Sequence, residues 1–501
     1  MPKDTIRRAS CLRQVFPAGA LAGDLISAAC AFLLTYRIRF AELMHKLPMG
    51  QLVAAWFRES LVPPWAREEV LVLGYLCAGT ALFLYLFDLY DERRLLRKFY
   101  GAVSVAKALT VFVIATAFLL FFFKAVHFPR TILFGFWFFS LLFISSERYM
   151  LAALREFLRT RFGIDVRRTL IIGRNRLARL LAAEMQSLRG HGYEVIGFLE
   201  ERKSEARAPE AEGETEELVP VMGSEDDLEE ITLRESASAV FIASPGKSSG
   251  ELMDLVIRSG RLGLETRVLG SVFSVLAVRV ALPLDAIRGI PLVDFGPARP
   301  GSLSRFLKRA LDLALASAAL ALTLPLWAVV ALFIKLEGSG PVFFKQKRLT
   351  AGERPFHCLK FRSMYPGAQE RLAELVGSNE KRLPIFKMRD DPRVTRVGRI
   401  IRRRSIDELP QLVNVLKGEM SLVGPRPPLP QEVPHYESWH RERFKGPAGM
   451  TGLWQVSGRS ELDFDEMVML DIYYLRNASL PFDLRILART LVAVFFAKGA
   501  Y

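Results

Sequence analysis

Residues Arg305 to Gly338 read RFLKRALDLALASAALALTLPLWAVVALFIKLEG, and this stretch decides how the rest of the chain meets a membrane. Its uncharged run from Leu313 to Ile334 is long enough to cross the hydrocarbon core. Basic residues lie on both sides of the run, which favours a cytoplasmic position for both ends. Pro325 removes a backbone donor past the middle of the run and favours a kink. The pattern predicts a re-entrant helix over about 305–336, broken at Leu324 and Pro325, with a fifth spanning helix as the alternative.

Four earlier apolar runs are each near the roughly 20 residues that a spanning helix needs. Arginine and lysine are frequent in the N-terminal tail, in the second loop and after the fourth run, so both ends of the predicted bundle face the cytoplasm. A cleaved signal peptide is the alternative for the first run, which is long and has a poor cleavage site. The four runs are Val15 to Tyr36, Val70 to Phe87, Ala102 to Phe123 and Thr131 to Ser146.

The composition agrees with membrane segments joined to charged soluble parts. The chain has 501 residues, of which 51% are hydrophobic and 24% charged, and its mean hydropathy is +0.21. Its net charge of +15 suits anionic lipid headgroups or phosphorylated substrates, and by charge alone would suit nucleic acid equally well. The four cysteines are scattered and the six histidines form no close pair, so neither a zinc site nor a disulfide framework is predicted.

The segment from about 165 to 295 alternates between strand and helix patterns, which predicts a Rossmann-like α/β domain with a parallel sheet. Where a dinucleotide fingerprint would read G-x-G-x-x-G, the chain has Gly173, Asn175 and Ala178. Because only the first glycine is kept, close approach of a pyrophosphate is disfavoured. The segment is therefore predicted to be a structural or regulatory module, with a dinucleotide site as the alternative.

An adjacent acidic pair, Asp407 and Glu408, lies in the basic segment RRRSIDELPQLVNVLKGEMSLVGPRP, Arg402 to Pro427. Taken alone, these residues have a structural interpretation. Ser405-x-x-Glu408 is a capping-box pattern, and Asp407 could cap a helix whose first turn contains Pro410. The surrounding motifs favour a chemical role for the pair, and the two interpretations are compatible because anions also bind at helix N-termini.

From about Leu303 to Tyr501 the chain resembles the bacterial sugar transferase family, the monotopic polyprenyl-phosphate sugar-1-phosphate transferases. The preceding helices and α/β segment resemble those of the family's large members. The matching motifs occur in the family's order and are KRALD, GPVFFKQKR, FHCLKFRSM, RRSIDELPQLVNVLKGEMSLVGPRP, GMTGLWQVSGRS, FDEMVMLDIYYLRN and the terminal GAY. Members of the family move a sugar 1-phosphate from a nucleotide diphosphate sugar onto a polyprenyl phosphate.

The resemblance implies that Asp407 is the nucleophile and forms an aspartyl phosphosugar intermediate. A carboxylate suits this role because it is already ionised near neutral pH and needs no base. The attack of an anion on a diphosphate meets like charges, so the implied cofactor is Mg²⁺, held by Glu408 and Asp407 with substrate phosphates. Arg402 and Arg426 are expected to bind phosphate oxygens through their planar guanidinium groups.

Three further residues are candidate substrate contacts. Lys360 and Arg362 alternate in LKFRSM, which suits one face of a strand directed at phosphate, with a solvated face as the alternative. Arg459 in QVSGRS is a candidate contact for the nucleotide or the sugar, with an ordinary surface charge as the alternative.

The predicted architecture is a membrane α-helical bundle over 1–150, a Rossmann-like α/β domain over 151–300 and an α/β catalytic domain with a re-entrant helix over 301–501. The resemblance implies a multi-pass protein of the bacterial inner membrane whose catalytic domain faces the cytoplasm, where nucleotide sugars are made. Its expected partners are a UDP-hexose or a similar donor, undecaprenyl or a related polyprenyl phosphate, and the membrane. A homodimer is a further possibility, and no nucleic acid is expected.

Two rival functions are considered. A non-catalytic, membrane-tethered regulator that binds nucleotide sugar would have a broken Asp-Glu pair, whereas Asp407 and Glu408 are both present. A nucleotide-sugar dehydratase would need an intact glycine-rich turn and a Tyr-x-x-x-Lys pair in the middle segment, and the sequence has neither.

Overall fold

The structure is a computed structural model, and it falls into two compact units. One unit comprises residues 1–166 with 188–193, and the other comprises 167–187 with 194–501. The residues that the structure describes are 2–44, 64–90, 98–122, 130–163, 165–187, 192–202, 219–269, 273, 276–277, 285–287, 290–296, 302–368, 391–457 and 462–495.

The described residues of the first unit are mostly helical, and its helices cover most of each of the four apolar runs predicted from the sequence. Three stretches are long and apolar enough to cross a membrane, namely Phe16–Ile38, Ala102–Phe122 and Thr131–Phe162, and a shorter apolar stretch covers Leu71–Leu86. The helices are α1 (Pro2–Met44), α2 (Pro64–Leu86), α3 (Lys98–Phe122) and α4 (Arg130–Phe162).

A buried ion pair joins the first and fourth helices of this unit. Arg148 Nη2 donates to Asp24 Oδ2 at 2.6 Å, and Arg148 Nη1 donates to the carbonyl oxygen of Leu89 at 2.7 Å. An ionised side chain in a membrane segment is costly unless it is paired within the protein. The pair thus explains how Asp24 is tolerated inside the first apolar run.

The second unit begins with a seven-stranded sheet in the order β3-β2-β1-β4-β5-β7-β6. Strands β1 and β4 pair in parallel, as do β4 and β5, and β2 and β3. Helices α5 (Arg176–Ser187), α6 (Leu228–Glu235) and α7 (Ser249–Arg261) lie between strands in the chain. The strands are β1 (Arg167–Ile172), β2 (Tyr193–Glu200), β3 (Val221–Ser224), β4 (Ala239–Ile242), β5 (Glu265–Val268), β6 (Asp285–Ile287) and β7 (Ile290–Asp294).

The predicted strand and helix alternation is confirmed, but the sheet is mixed rather than wholly parallel. Strand β7 pairs antiparallel with both β5 and β6, with Val268 opposite Val293 and Ile287 opposite Ile290. A hairpin of short strands added at one edge produces this arrangement. The all-parallel expectation is therefore wrong at that edge.

The next helix, α8 (Ser302–Glu337), is assigned without interruption and contains Pro325. A break into two helices at Leu324 and Pro325 was predicted, but α8 is continuous there. Proline is tolerated within apolar helices when the surroundings satisfy the freed backbone group. Most of the helix surface is apolar and exposed, including Leu322 at 83% and Leu336 at 72%.

Both ends of α8 contact the soluble domain that follows it. Near its start, Lys308 Nζ donates to Asp483 Oδ2 at 2.8 Å. At its end, Glu337 Oε1 accepts from the backbone N–H of Arg396 at 2.6 Å, and Arg362 donates to the carbonyl oxygen of Ser339 at 2.6 Å. The same domain thus contacts both ends of α8, while apolar side chains along the middle of the helix are exposed.

The rest of the second unit is built around an antiparallel hairpin and short helices. Its interior is continuous with that of the sheet, as rings of Phe273, Phe295 and Tyr473 lie 4.8–5.8 Å apart. The elements are β8 (Phe343–Thr350), β9 (Arg354–Phe361), α9 (Arg396–Arg403), α10 (Gln411–Lys417), β10 (Ser421–Val423), β11 (Gly449–Thr451), α11 (Phe464–Asn477) and α12 (Leu480–Phe495).

Candidate active site

The acidic pair lies in a tight turn between α9 and α10. Ser405 adopts a left-handed conformation, with φ of +54°, and a single 3₁₀ turn follows over Ile406–Glu408. Non-glycine residues in this conformation cost energy and cluster at functional sites. The side chain of Ser405 makes no capping hydrogen bond, and no side chain caps α10 at Pro410. The capping interpretation of this sequence is therefore not what the structure shows.

Asn414, in the helix α10 that follows this turn, fixes α10 against strand β9. Its side chain accepts from the backbone N–H of Leu359 at 3.0 Å and donates to the carbonyl oxygen of His357 at 2.8 Å. This clamp brings the end of β9 beside the acidic turn, where Lys360 Nζ donates to Glu408 Oε1 at 2.7 Å. Asn414 was not identified from the sequence. The available signal was its polar side chain among the apolar positions of QLVNVLK.

The two carboxyl groups have different environments. Burial raises the pKa of Asp407 to about 6, and the charge of Glu408 acts in the same direction, against Lys360 and Arg402. For Glu408, burial also opposes ionisation, but the Lys360 ammonium and nearby arginines hold its pKa below the ordinary value. Glu408 is therefore the more firmly ionised of the two. Asp407 is the more basic carboxylate, yet it is still mostly ionised at neutral pH.

Two arginines supply further positive charge at the site. Burial lowers the pKa of Arg348 to about 10, and repulsion from Arg426 adds to the effect. Arg348 Nη1 donates to the carbonyl oxygen of Pro427 at 2.6 Å and so holds the Pro-Arg-Pro segment. Among the described residues, no hydrogen bond or ion pair engages the Arg426 guanidinium. Arg426 is therefore a cation near Glu408 that can bind an incoming anion.

The structure brings together most of the side chains proposed from the sequence. Lys360, Arg402 and Arg426 all influence the ionisation of Asp407 or Glu408 and so lie near the pair.

Two proposed substrate contacts are not part of this group. Arg362 lies one residue past the end of β9, and its guanidinium donates to the carbonyl oxygens of Ser339 at 2.6 Å and Gly338 at 3.0 Å. We therefore do not include Arg362 in the proposed phosphate site. Arg459 lies outside the described residues.

The side chain of Asn175 lies in the turn that follows β1. Asn175 Oδ1 accepts from the backbone N–H of Ala178 at 3.0 Å, and its amide nitrogen donates to the carbonyl oxygen of Ala243. Gly173, with φ of +104°, passes so close to the same carbonyl that a side chain would clash. A side chain thus bridges the strand ends where a dinucleotide-binding turn would need glycine and open space.

Comparison with known proteins gives two family matches. Residues 303–497 match the model described as "Bacterial sugar transferase", and residues 85–267 match one described as "CoA-binding domain".

Three relatives illustrate the similarity to whole proteins. A UDP-galactose-lipid carrier transferase from Erwinia amylovora is 41% identical over 206 residues, which are 40% of this chain and 42% of the relative. An undecaprenyl-phosphate galactose phosphotransferase from Salmonella typhimurium is 32% identical over 73% of this chain and 75% of the relative. A UDP-glucose:undecaprenyl-phosphate glucose-1-phosphate transferase from Xanthomonas campestris pv. campestris is 30% identical over 73% of this chain and 74% of the relative. The last two alignments cover about three quarters of both proteins.

Proposed function

The chain belongs to the bacterial sugar transferase family, and from this premise we propose that it transfers a sugar 1-phosphate from a UDP-hexose to undecaprenyl phosphate. Such a transfer would begin the synthesis of a surface polysaccharide or glycoconjugate. The names of the Salmonella and Xanthomonas relatives support the lipid acceptor and a hexose donor. The observation that carries the proposal is the acidic turn, where Asp407 and Glu408 lie near the cations Lys360, Arg402 and Arg426.

The first half of the reaction uses Asp407 as nucleophile. A carboxylate oxygen of Asp407 attacks the phosphorus that bears the sugar, and the bond from this phosphorus to the nucleoside monophosphate breaks. The nucleoside monophosphate leaves with the electron pair, and an aspartyl phosphosugar remains. The raised pKa of Asp407 makes it more basic than an ordinary aspartate while leaving it mostly ionised at neutral pH.

The second half restores the carboxylate. A phosphate oxygen of the polyprenyl phosphate attacks the same phosphorus, and the bond to Asp407 breaks. The product is a polyprenyl diphosphate sugar. Arg402, Arg426 and Lys360, which act on the ionisation of Asp407 or Glu408, would stabilise negative charge on the phosphoryl oxygens during both steps.

The residues present fit a magnesium ion that is shared with the substrate. Among the described residues, no three or more His, Cys, Asp and Glu side chains are arranged so that they could hold a metal ion by themselves. Mg²⁺ commonly uses one or two carboxylates and completes its shell with substrate phosphates and water. Glu408 and Asp407 would hold it, and when bound it would offset the charge of the diphosphate.

Glu408→Gln is expected to lower transfer by about 100-fold and to weaken the response to added Mg²⁺, since a neutral amide is a poorer ligand and no longer balances Lys360. The measurement is the initial rate against magnesium concentration. Glu353→Gln, which alters an exposed ion pair with Arg441, is the control and should retain the parental magnesium dependence. A Glu408→Gln protein with an unchanged magnesium curve would remove Glu408 from the metal site.

We further propose that α8 enters the membrane and returns to the face from which it came. The domain that follows α8 contacts it through Lys308 at one end and through Glu337 at the other, which supports a position on the same side of the membrane for both ends. The basic flanks support the same side. A kink at Pro325 would let the apolar middle dip into one leaflet.

Single cysteines at Ser302 and Ser339 test this topology in a background in which Cys11, Cys30, Cys77 and Cys358 are replaced. Both should resist a membrane-impermeant thiol reagent in intact cells, because both are expected in the cytoplasm. Both should react after lysis, which controls for accessibility. Reaction of the Ser339 position alone in intact cells would mean that α8 spans the membrane and that the proposed cytoplasmic active site is wrong.

The overall activity has a direct assay. Purified protein is incubated with undecaprenyl phosphate and a panel of nucleotide sugars, and the release of nucleoside monophosphate is followed. Release that depends on the lipid supports the transferase. Binding of nucleotide sugar with no release under any donor would favour the rival function, a membrane-tethered regulator.

A further inference from the structure

Helix α11 lies between two parts of the second unit, and a different face of the helix is turned to each part. One part is the α/β module, defined as residues 167–296, and the other is the Arg426 segment, defined as residues 421–427. Tyr473, Arg476 and Asn477 are spaced as i, i+3 and i+4, so they share the face that contacts the module. Asp471 and Tyr474 share the face that is linked to the Arg426 segment. A single helix therefore connects the two parts.

The contact with the module centres on a guanidinium group that is buried against α7. Arg476 is 8% exposed, and its Nη2 donates to the carbonyl oxygen of Val256 at 3.1 Å. A Cβ atom at Gly260 would overlap with the same guanidinium, so the close approach requires glycine there. Glycine weakens the interior of a helix, and the contact with Arg476 explains why α7 has one at this position. Asn477 Nδ2 adds a second bond, to the carbonyl oxygen of Asp294 at 3.2 Å.

The other face of α11 holds the backbone of the Arg426 segment. The hydroxyl oxygen of Tyr474 lies 3.1 Å from the carbonyl oxygen of Val423. Asp471 forms a buried ion pair with Arg443 at 2.5 Å. Arg443 in turn donates to the carbonyl oxygen of Arg426 at 3.3 Å. A displacement of α11 would therefore disturb the contacts of two backbone carbonyl groups in the segment.

The Arg426 segment also has contacts that do not involve α11. Asp312 of α8 accepts from the backbone N–H of Leu422 at 3.1 Å. Arg348 of β8 donates to the carbonyl oxygen of Pro427 at 2.6 Å. Loss of the contact between α11 and the module is therefore expected to loosen the segment rather than to unfold it.

The residues of the module do not fit the CoA that the description of its matching family names. In nucleotide-binding α/β folds, the pyrophosphate lies at the N-terminus of the helix that follows the first strand. Asn175 occupies that position, because its Oδ1 accepts from the backbone N–H of Ala178 at 3.0 Å. Lys247, which follows β4, is buried and donates to Glu225 Oε1 at 3.0 Å. These side chains are thus engaged with the module itself.

We propose that the α/β module is a positioning element of the active site and not a nucleotide-binding domain. Arg476 is the positioning residue, since it fixes α11 against α7, and α11 in turn holds the Arg426 segment. The effect on catalysis rests on the proposed transferase function. A change at Gly260 should therefore alter the Arg426 segment, although Gly260 belongs to the module and not to the catalytic domain.

The test measures hydrogen exchange by mass spectrometry in the full-length, detergent-purified protein. Arg476→Ala removes the guanidinium, and Gly260→Ala displaces it while favouring the helical form of α7. Both variants should speed exchange in peptides that cover 421–427 by about 3- to 10-fold, the effect of about one hydrogen bond. Arg261→Ala is the matched control, because it removes an exposed arginine of α7 and should leave this exchange unchanged.

The double variant distinguishes the specific contact from a general loss of stability. If Gly260→Ala acts by displacing Arg476, combining it with Arg476→Ala should give no faster exchange at 421–427 than Arg476→Ala alone. Faster exchange confined to α7 and the end of α11, with 421–427 unchanged, would overturn the positioning role. Equal acceleration everywhere, including the hairpin of β8 and β9, would also overturn it, because the contact would then only stabilise the fold.

Kinetics give a second measurement. Both single variants should raise the KM for the UDP-sugar donor by about 3- to 10-fold with kcat within about 2-fold of the parent, because Arg426 is proposed to bind phosphate of the donor. A lower kcat with an unchanged KM would indicate only a loss of folded protein and would count against the positioning role.

The exclusion of a nucleotide has its own measurement. Added CoA should leave the melting temperature of the parental protein unchanged, because Asn175 fills the turn where a pyrophosphate would bind. A melting temperature that rises with CoA concentration would overturn this part of the proposal.

The exchange and transfer results separate the positioning role from the proposed function. Faster exchange at 421–427 in a protein that transfers no sugar phosphate would overturn the transferase function and leave the positioning role standing. Lipid-dependent transfer with unchanged exchange in both variants would overturn the positioning role and leave the transferase function standing.

Discussion

Asp407→Asn is expected to reduce transfer by at least about 1,000-fold, because the amide cannot attack phosphorus and the covalent route is lost. The same change should leave the fold intact or make it more stable. The raised pKa of Asp407 means that the ionised group is less favourable in the folded protein than in the unfolded chain at neutral pH. The two measurements are the rate of nucleoside monophosphate release and the melting temperature of the purified protein.

This pair of measurements separates lost chemistry from lost structure. An inactive Asp407→Asn protein with a melting temperature at or above that of the parent supports the nucleophile role. An active Asn variant would remove Asp407 from that role. A variant that is both inactive and markedly less stable would contradict the expected effect of the buried carboxylate on the fold.

Asp471→Ala is expected to destabilise the protein by about 3–5 kcal/mol, because it leaves the Arg443 guanidinium buried without its counter-ion. The measurement is the midpoint of denaturant or thermal unfolding in detergent.

The chain offers a matched control two residues from Arg443. Arg441 pairs with Glu353 at 2.8 Å, but the two side chains are 49% and 38% exposed. Solvent screens such a pair, so Arg441→Ala should cost less than about 1 kcal/mol. Equal losses of stability in Asp471→Ala and Arg441→Ala would show that burial does not determine how much the Arg443–Asp471 pair contributes to the free energy of unfolding.

Much of the architecture could be predicted from local patterns. Local sequence patterns reveal the apolar runs that form α1 to α4. They also reveal the alternation of strands and helices from β1 to β5, because both patterns repeat over neighbouring residues. The antiparallel hairpin of β6 (Asp285–Ile287) and β7 (Ile290–Asp294) was missed, because strands this short carry little periodic signal. The interruption expected at Pro325 is not seen, because an apolar helix can continue through a proline.

The candidate site was predictable where its residues are neighbours in the sequence. Asp407 and Glu408 are adjacent, so their pairing needs no tertiary information. Arg348 contacts Pro427, which is 79 residues away in the sequence, and no local pattern reveals such a contact. The position of Arg362 could not be predicted from its two-residue alternation with Lys360, because β9 ends at Phe361.

The most direct test of the mechanism is to trap the intermediate. Full-length protein is incubated with the UDP-sugar donor and Mg²⁺ in the absence of polyprenyl phosphate, then quenched, digested and examined by mass spectrometry. The account predicts a peptide containing Asp407 that is heavier by one sugar phosphate, that disappears when undecaprenyl phosphate is added, and that never forms in Asp407→Asn. Full turnover with the adduct on another residue, or an adduct that forms equally in Asp407→Asn, would contradict it.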